Sequence, residues 1–189
     1  MEQMGLGFAA PKADSMHRLF FALWPDDALR ARIDDTAATL EREHAPGGRR
    51  LRADRYHVTL QYLGDFKPLP DGLLDRVRTA AANVRSPSFA LELDRAGSFR
   101  GSDVWWLGSH EAPPTLTSLW DELGRALLKQ GIRPRSTGGF VPHLTIQRDV
   151  RHHLPPTPVE ALRWDVREFV LIDSRQNQPY RIEGRWPLA

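Results

Sequence analysis

The chain has 189 residues, 41% of them apolar, and a formal net charge of +2, enough for one large domain or two small lobes around a real core. Lysine and arginine together number 26, yet Lys12, Lys67 and Lys129 are the only lysines; the arginines suit bidentate phosphate contacts, with GC-rich coding bias as the plainer source of the total. Zero cysteine excludes disulfides, thiolate metal sites and cysteine nucleophiles, no stretch reaches the roughly 18 apolar residues of a membrane helix, and residues 1–16 lack the basic start and apolar run of a secretory signal, so the expectation is a cytoplasmic protein with a disordered leader over 1–16.

Arg18 to Trp24 is a short apolar run stopped by Pro25 and reads as a buried strand. A helix follows, with Asp26 and Asp27 at its acidic start and Leu29, Ile33, Ala37 and Leu40 at helical spacing before the breaker Ala45 to Gly48. Arg49 to Arg52 starts a short strand, Ala53 to Arg55 turns, and Tyr56 to Leu63 forms a longer strand ended by Gly64 and Asp65. Leu73, Leu74, Val77 and Ala81 mark a second helix; Phe89, Leu91 and Leu93 alternate as a half-buried strand, and Val104 to Leu107 is another. A third helix runs from Pro114 to Gln130, striped by Leu116, Leu119, Leu123 and Leu127 and stopped by Gly131. The loop Arg133 to Gly139 leads to a further strand, Pro155 to Pro158 is a rigid connector, and Trp164 to Ile172 with Tyr180 to Trp186 close the chain as a strand pair.

One pattern occurs twice. His57-Val58-Thr59-Leu60 returns as His143-Leu144-Thr145-Ile146, and composition alone would give two such copies roughly two times in a thousand. Period-two alternation puts His57 with Thr59, and His143 with Thr145, on one face of their strands, while the apolar residues between them point into a core. Hydroxyls donate to phosphate oxygens, and two imidazoles supply an acid and a base near neutral pH. Leu19 precedes His57 by 38 residues and Trp105 precedes His143 by the same 38, which points to an internal duplication: two lobes, each giving one motif to a shared cleft.

Arg18 to Pro25 (RLFFALWP), His57 to Gly64 (HVTLQYLG), Val104 to Gly108 (VWWLG), Phe140 to Arg148 (FVPHLTIQR) and Arg185 to Leu188 (RWPL) together resemble the 2H phosphoesterase superfamily, most closely its RNA 2′,3′-cyclic phosphodiesterase branch, also called 2′-5′ RNA ligase. The resemblance spans Arg18 to Leu188. It implies an α+β fold, bilobal and pseudo-symmetric (LigT-like), with two antiparallel sheets and outer helices around a central cleft, so that 17–189 form a single bilobal domain. It further implies metal-independent hydrolysis of RNA 2′,3′-cyclic phosphate ends to 2′-phosphomonoesters, with reversible 2′-5′ ligation, needing no cofactor; no heptad or other association seam in the sequence suggests anything beyond a monomer. His57 would be the proton donor and His143 the proton acceptor. Thr59, Thr145 and Arg148 would hold the phosphate oxygens, although strict alternation puts Arg148, five residues past His143, on the opposite face. The sequence departs from the family in having Tyr62 where Phe is frequent and Gln147 where a small or apolar residue is frequent; alternation puts Gln147 on the face of His143 and Thr145, as a further donor or acceptor in the cleft.

His152 and His153, adjacent on a proline-rich loop, lack the spacing of a zinc site and read as solvated. His17, His44 and His110 receive no role. Of Trp105 and Trp106 one belongs to the core, leaving the other for stacking on a nucleobase. Walker, dinucleotide and nucleophile-elbow motifs are absent. Two alternatives stay open: a phosphodiesterase for small cyclic nucleotides or ADP-ribose cyclic phosphate, and a nucleotide- or RNA-binding module without turnover.

Overall fold

A computed structural model describes residues 16–135 and 139–189. The leader expected over 1–16, apart from Met16, lies outside the described residues, as does the middle of the loop Arg133 to Gly139. The elements run β1 (His17–Leu23), α1 (Asp27–His44), β2 (Arg49–Arg50), a 3-10 turn (Ala53–Arg55), β3 (Val58–Phe66), α2 (Leu73–Ala82), β4 (Phe89–Gly97), β5 (Val104–Gly108), α3 (Pro114–Lys129), β6 (Leu144–Arg148), β7 (Thr157–Val166), β8 (Glu168–Ser174) and β9 (Arg181–Pro187).

The helices follow from their local chemistry. Asp26 caps α1 by accepting from the Leu29 N–H at 2.8 Å, and the stripe Leu29, Ile33, Ala37 and Leu40 is buried. Pro114 opens α3, where a missing N–H costs nothing, and Leu116, Leu119, Leu123 and Leu127 are fully buried. No helix among the described residues is long and apolar enough to cross a membrane.

The strands form an antiparallel ladder in the order β7-β4-β5-β6-β3-β1-β8-β9, with β2 on β6. It consists of two four-stranded halves of matching plan. In the first, β1 and β3 flank α1 in sequence and pair antiparallel; in the second, β5 and β6 flank α3 in the same way. The halves meet where β3 pairs with β6, at Val58 and Leu144. Each helix crosses to the other half: α1 packs against β6 and β7, and α3 against β3. Gln61 Nε2 of β3 donates to the Trp120 carbonyl of α3 at 2.9 Å. One main core cluster therefore gathers residues of both halves, from Leu19, Phe21 and Leu60 to Trp105, Leu144 and Ile146.

Two expectations for the C-terminal region need correction. The connector Pro155 to Pro158 already carries the start of β7 at Thr157, and Pro158 is tolerated because β7 is an edge strand. Trp164 to Ile172 is not one strand but the end of β7 and most of β8, parted at Arg167; the closing hairpin is β8 with β9. The first motif strand also runs past Gly64 and Asp65 to Phe66, with Gly64 at φ 132°, where an added Cβ would lie 2.9 Å from Arg135 Nε.

Candidate active site

The two motifs meet at the seam between the halves. Val58 and Leu144 are opposite one another and buried. Extending that antiparallel register by one residue each way sets His57 across from Thr145 and Thr59 across from His143. Each imidazole thus faces the other motif's hydroxyl position, in a crossed two-fold arrangement.

Both histidines are fixed in the same way. His57 Nδ1 lies 2.7 Å from the Arg55 carbonyl oxygen and His143 Nδ1 lies 2.8 Å from that of Val141, in each case two residues upstream. A carbonyl only accepts, so each Nδ1 carries the hydrogen and Nε2 is left for proton transfer. Aromatic rings brace the imidazoles: Phe20 at 4.9 Å and Tyr180 at 5.7 Å from His57, and Phe99 edge-on at 4.8 Å from His143. Burial pushes the His57 pKa down to about 4; its hydrogen bond to Arg55 opposes this, and the charges of Arg148, His143 and Arg30 add to it. Burial also lowers His143, again opposed by its carbonyl partner and assisted by Arg148. Arg148 is thus a cation felt at both imidazoles, an arrangement that receives an anion between them.

A matched pair of bulges aims these side chains. On β3 the register passes from Phe21 opposite Gln61 to Ala22 opposite Thr59, leaving Leu60 extra. On β6 it passes from Trp105 opposite Gln147 to Trp106 opposite Thr145, leaving Ile146 extra. A bulge spends one residue without advancing the partner strand, so everything beyond it changes face. The expected places of Arg148 and Gln147 are therefore exchanged. Gln147 is fully buried on the core side beside Trp105 and does not line the cleft. Arg148, opposite Val104 and exposed, returns to the face of His143 and Thr145. Tyr62 is its counterpart in the first half.

The rest of the cleft is unequal between the halves. On the first half Phe20, Ala22, Val170 and Ile172 form an apolar floor separate from the main core, bordered by Trp24, Tyr62, Tyr180 and Ile182. On the second half, Trp106 spreads over Gly97 and Gly108, where an added Cβ would stand 2.8 Å and 3.2 Å from its ring, and Phe99 lies 5.3 Å from it. Trp105 is the core residue, its indole N–H donating to the His152 carbonyl at 2.8 Å. The sequence did not single out Phe20, Phe99 or Tyr180 as site residues. Phe20 could have been found as the cleft-side neighbour of a motif strand, whereas Phe99 sits at a loop position with no periodic signal and Tyr180, read as the first residue of the closing strand, lies just before β9.

Two of the remaining histidines are engaged elsewhere. His17 Nδ1 lies 2.9 Å from Asp173 Oδ2, and His153 Nε2 lies 3.2 Å from the Phe99 carbonyl, supporting the loop that braces His143. Among the described residues no group of three or more His, Asp or Glu is placed to hold a metal ion.

Residues 25–178 match the model of the 2′-5′ RNA ligase superfamily. The chain is 33% identical over 178 residues to the RNA 2′,3′-cyclic phosphodiesterase of Escherichia coli (strain K12), covering 91% of this chain and 97% of that protein. It is 31% identical over 104 residues to the Aquifex aeolicus (strain VF5) protein of the same name, covering 53% of this chain and 55% of that one. The crystal structure of E. coli LigT complexed with 3′-AMP superposes with a TM-score of 0.77 at 30% identity, over 92% of this chain and 99% of that one. With its two His-x-Thr strands joined across one seam, the chain belongs to the 2′-5′ RNA ligase superfamily.

Proposed function

We propose that the protein hydrolyses the 2′,3′-cyclic phosphate at the 3′ end of RNA to a 2′-phosphomonoester by acid–base catalysis between His57 and His143. The observation that carries this reading is the pairing of two imidazoles, each held through Nδ1 by a backbone carbonyl, with Arg148 acting on both. The names of the relatives support the substrate class.

In this mechanism His143 Nε2 removes a proton from water, whose oxygen attacks phosphorus in line with the 3′ oxygen. The P–O3′ bond breaks and His57 Nε2 gives its proton to O3′, leaving phosphate on O2′. Proton exchange with solvent then resets the pair. Thr59, Thr145 and Arg148 hold the non-bridging oxygens as charge gathers on them. The apolar floor of the first half, beside His57, suits the terminal nucleoside whose O3′ takes the proton, which agrees with His57 as the acid. General acid–base catalysis of this kind contributes about 10²–10⁴-fold per group. Both imidazoles are lowered in the free protein, so the anionic substrate itself favours protonation of His57 on binding. Run forwards with an RNA 5′-hydroxyl in place of water, the same steps form a 2′-5′ linkage, and their reversal cleaves it. The reading includes a cytoplasmic monomer, in keeping with an RNA substrate.

The test is the position of phosphate in the product of a cyclic-phosphate-ended oligonucleotide, read by 31P NMR with and without EDTA. A 2′-phosphate formed equally in both is expected; a 3′-phosphate, or activity lost to EDTA and restored by a divalent ion, overturns the scheme. Near-wild-type turnover by His57→Ala or His143→Ala would overturn the assignment of these two residues, and a wild type that binds the oligonucleotide without turning it over would promote the binding module instead.

A further inference from the structure

Arg30 leaves the first turn of α1 and lays its guanidinium over the Trp24 ring, 4.1 Å from the centroid. Its side chain is 11% exposed, and Nη1 lies 3.5 Å from Asp27 Oδ1, a carboxylate in open solvent. Nε and Nη2 are buried with no acceptor among the described residues. Those two N–H groups form the side-on fork of a guanidinium, the edge that takes a carboxylate or phosphate bidentately. A buried cation whose fork is unfilled is costly, and nothing in the packing of α1 requires one: the helix is anchored by Leu29, Ile33, Ala37 and Leu40.

The surroundings say what would fill it. Trp24 borders the apolar cleft floor, 6.1 Å from Tyr180, and Tyr180 lies 5.7 Å from His57. Arg185 sits across from Val170, a floor residue, in the β8–β9 ladder, and pairs with the half-buried Glu168. At Arg30 the carboxylates of Asp27, Asp54 and Asp26 and the charge of Arg185 are all felt, and Arg30 is felt at His57. Two cations thus converge on the His57 side of the cleft, beyond the place of the reacting phosphate.

We propose that Arg30, assisted by Arg185, holds the phosphodiester on the 5′ side of the terminal nucleotide, so that the cleft selects the end of an RNA chain over an isolated nucleoside cyclic phosphate. This rests on the function proposed above: His57 protonates the ribose 3′ oxygen, so the ribose lies on its side, and the next anion along the chain is the 5′ phosphate.

The experiment compares kcat/KM for a nucleoside 2′,3′-cyclic phosphate, the same compound bearing a 5′-phosphate, and a cyclic-phosphate-ended oligonucleotide. In the wild type the 5′-phosphate is expected to raise kcat/KM by about tenfold or more, the worth of a charge-assisted phosphate contact. Arg30→Met, which keeps an apolar stem on Trp24, collapses the ratio between these substrates toward one, and Arg185→Gln reduces it in part. Taking ratios cancels any effect of lost charge on His57. For the oligonucleotide, the slope of log kcat/KM against log salt becomes shallower by about 0.7 in Arg30→Met, as one phosphate contact on a single strand is removed. A wild type indifferent to the 5′-phosphate overturns the proposal, as does an Arg30→Met ratio as large as the wild type's, the mark of a packing role alone. If Arg30→Met does not fold, the wild-type ratio and Arg185→Gln decide. A wild type that hydrolyses none of the three defeats the proposed function rather than this site.

Discussion

Val58 and Leu144 stand opposite each other as the rung that joins the two halves of the sheet among the described residues, and each is followed by the threonine and preceded by the histidine of its motif. Fold and site therefore share a joint. Leu144→Ala removes a fully buried side chain and is expected to cost about 2–5 kcal/mol. It should also lower kcat, because reacting groups must stay within a fraction of an ångström of their places. Urea unfolding with kinetics on the same preparation checks both.

The pH dependence follows from the lowered imidazoles. kcat/KM reports the free protein, where His57 titrates near 4 and His143 below its ordinary value. Its bell should be centred between about 4 and 6.5. kcat, which reports the complex, should peak at higher pH, since a bound anion raises both groups. Coincident optima for the two parameters would contradict this.

Removing a cation raises the pKa of its neighbours. Arg148→Gln should move both histidines upward, because Arg148 lowers each of them, while kcat falls as a phosphate contact is lost. Titration of the two imidazole C–H signals by NMR reads the first effect independently of catalysis. A variant that loses activity with both histidines unmoved would place Arg148 away from them.

Folding is linked to the same protons. His57 binds a proton less readily folded, near 4, than unfolded, near 6.5. Its contribution to stability is therefore fully present above about 6.5 and is lost as pH falls toward 4, because the unfolded chain takes up the proton first. His57→Gln should flatten the acid side of the stability profile in this window. Denaturant midpoints at pH 7, 5.5 and 4.5 measure the difference.

What could be read from the sequence is what depends on period and repetition. The stripes of α1 and α3 and the duplicated His-x-Thr strands appear where their spacing puts them, because one buried face imposes its period on the residues that fill it. The bulges could not be read. Leu60 and Ile146 are apolar residues in alternating strands, and nothing in their chemistry announces that each is extra in its ladder. That single unseen residue exchanged the faces of Gln147 and Arg148. The start of β7 was hidden by Pro158, a residue that argues against a strand unless the strand is at an edge. The aromatic braces were hidden by distance along the chain: Tyr180 reaches His57, and Phe99 reaches His143, through pairings made elsewhere in the sheet.

The crossing of the helices bears on how the molecule comes apart. α1 covers strands of the second half and α3 a strand of the first, while α2 lies against β9 of the first, so the two halves share α1 and α3 crosswise. A chain cut in the loop between α2 and β4 should yield two fragments that are each poorly folded alone yet regain structure and activity when mixed. The repeat written in the sequence is then a duplication that has lost its independence: each copy has become the other's chaperone.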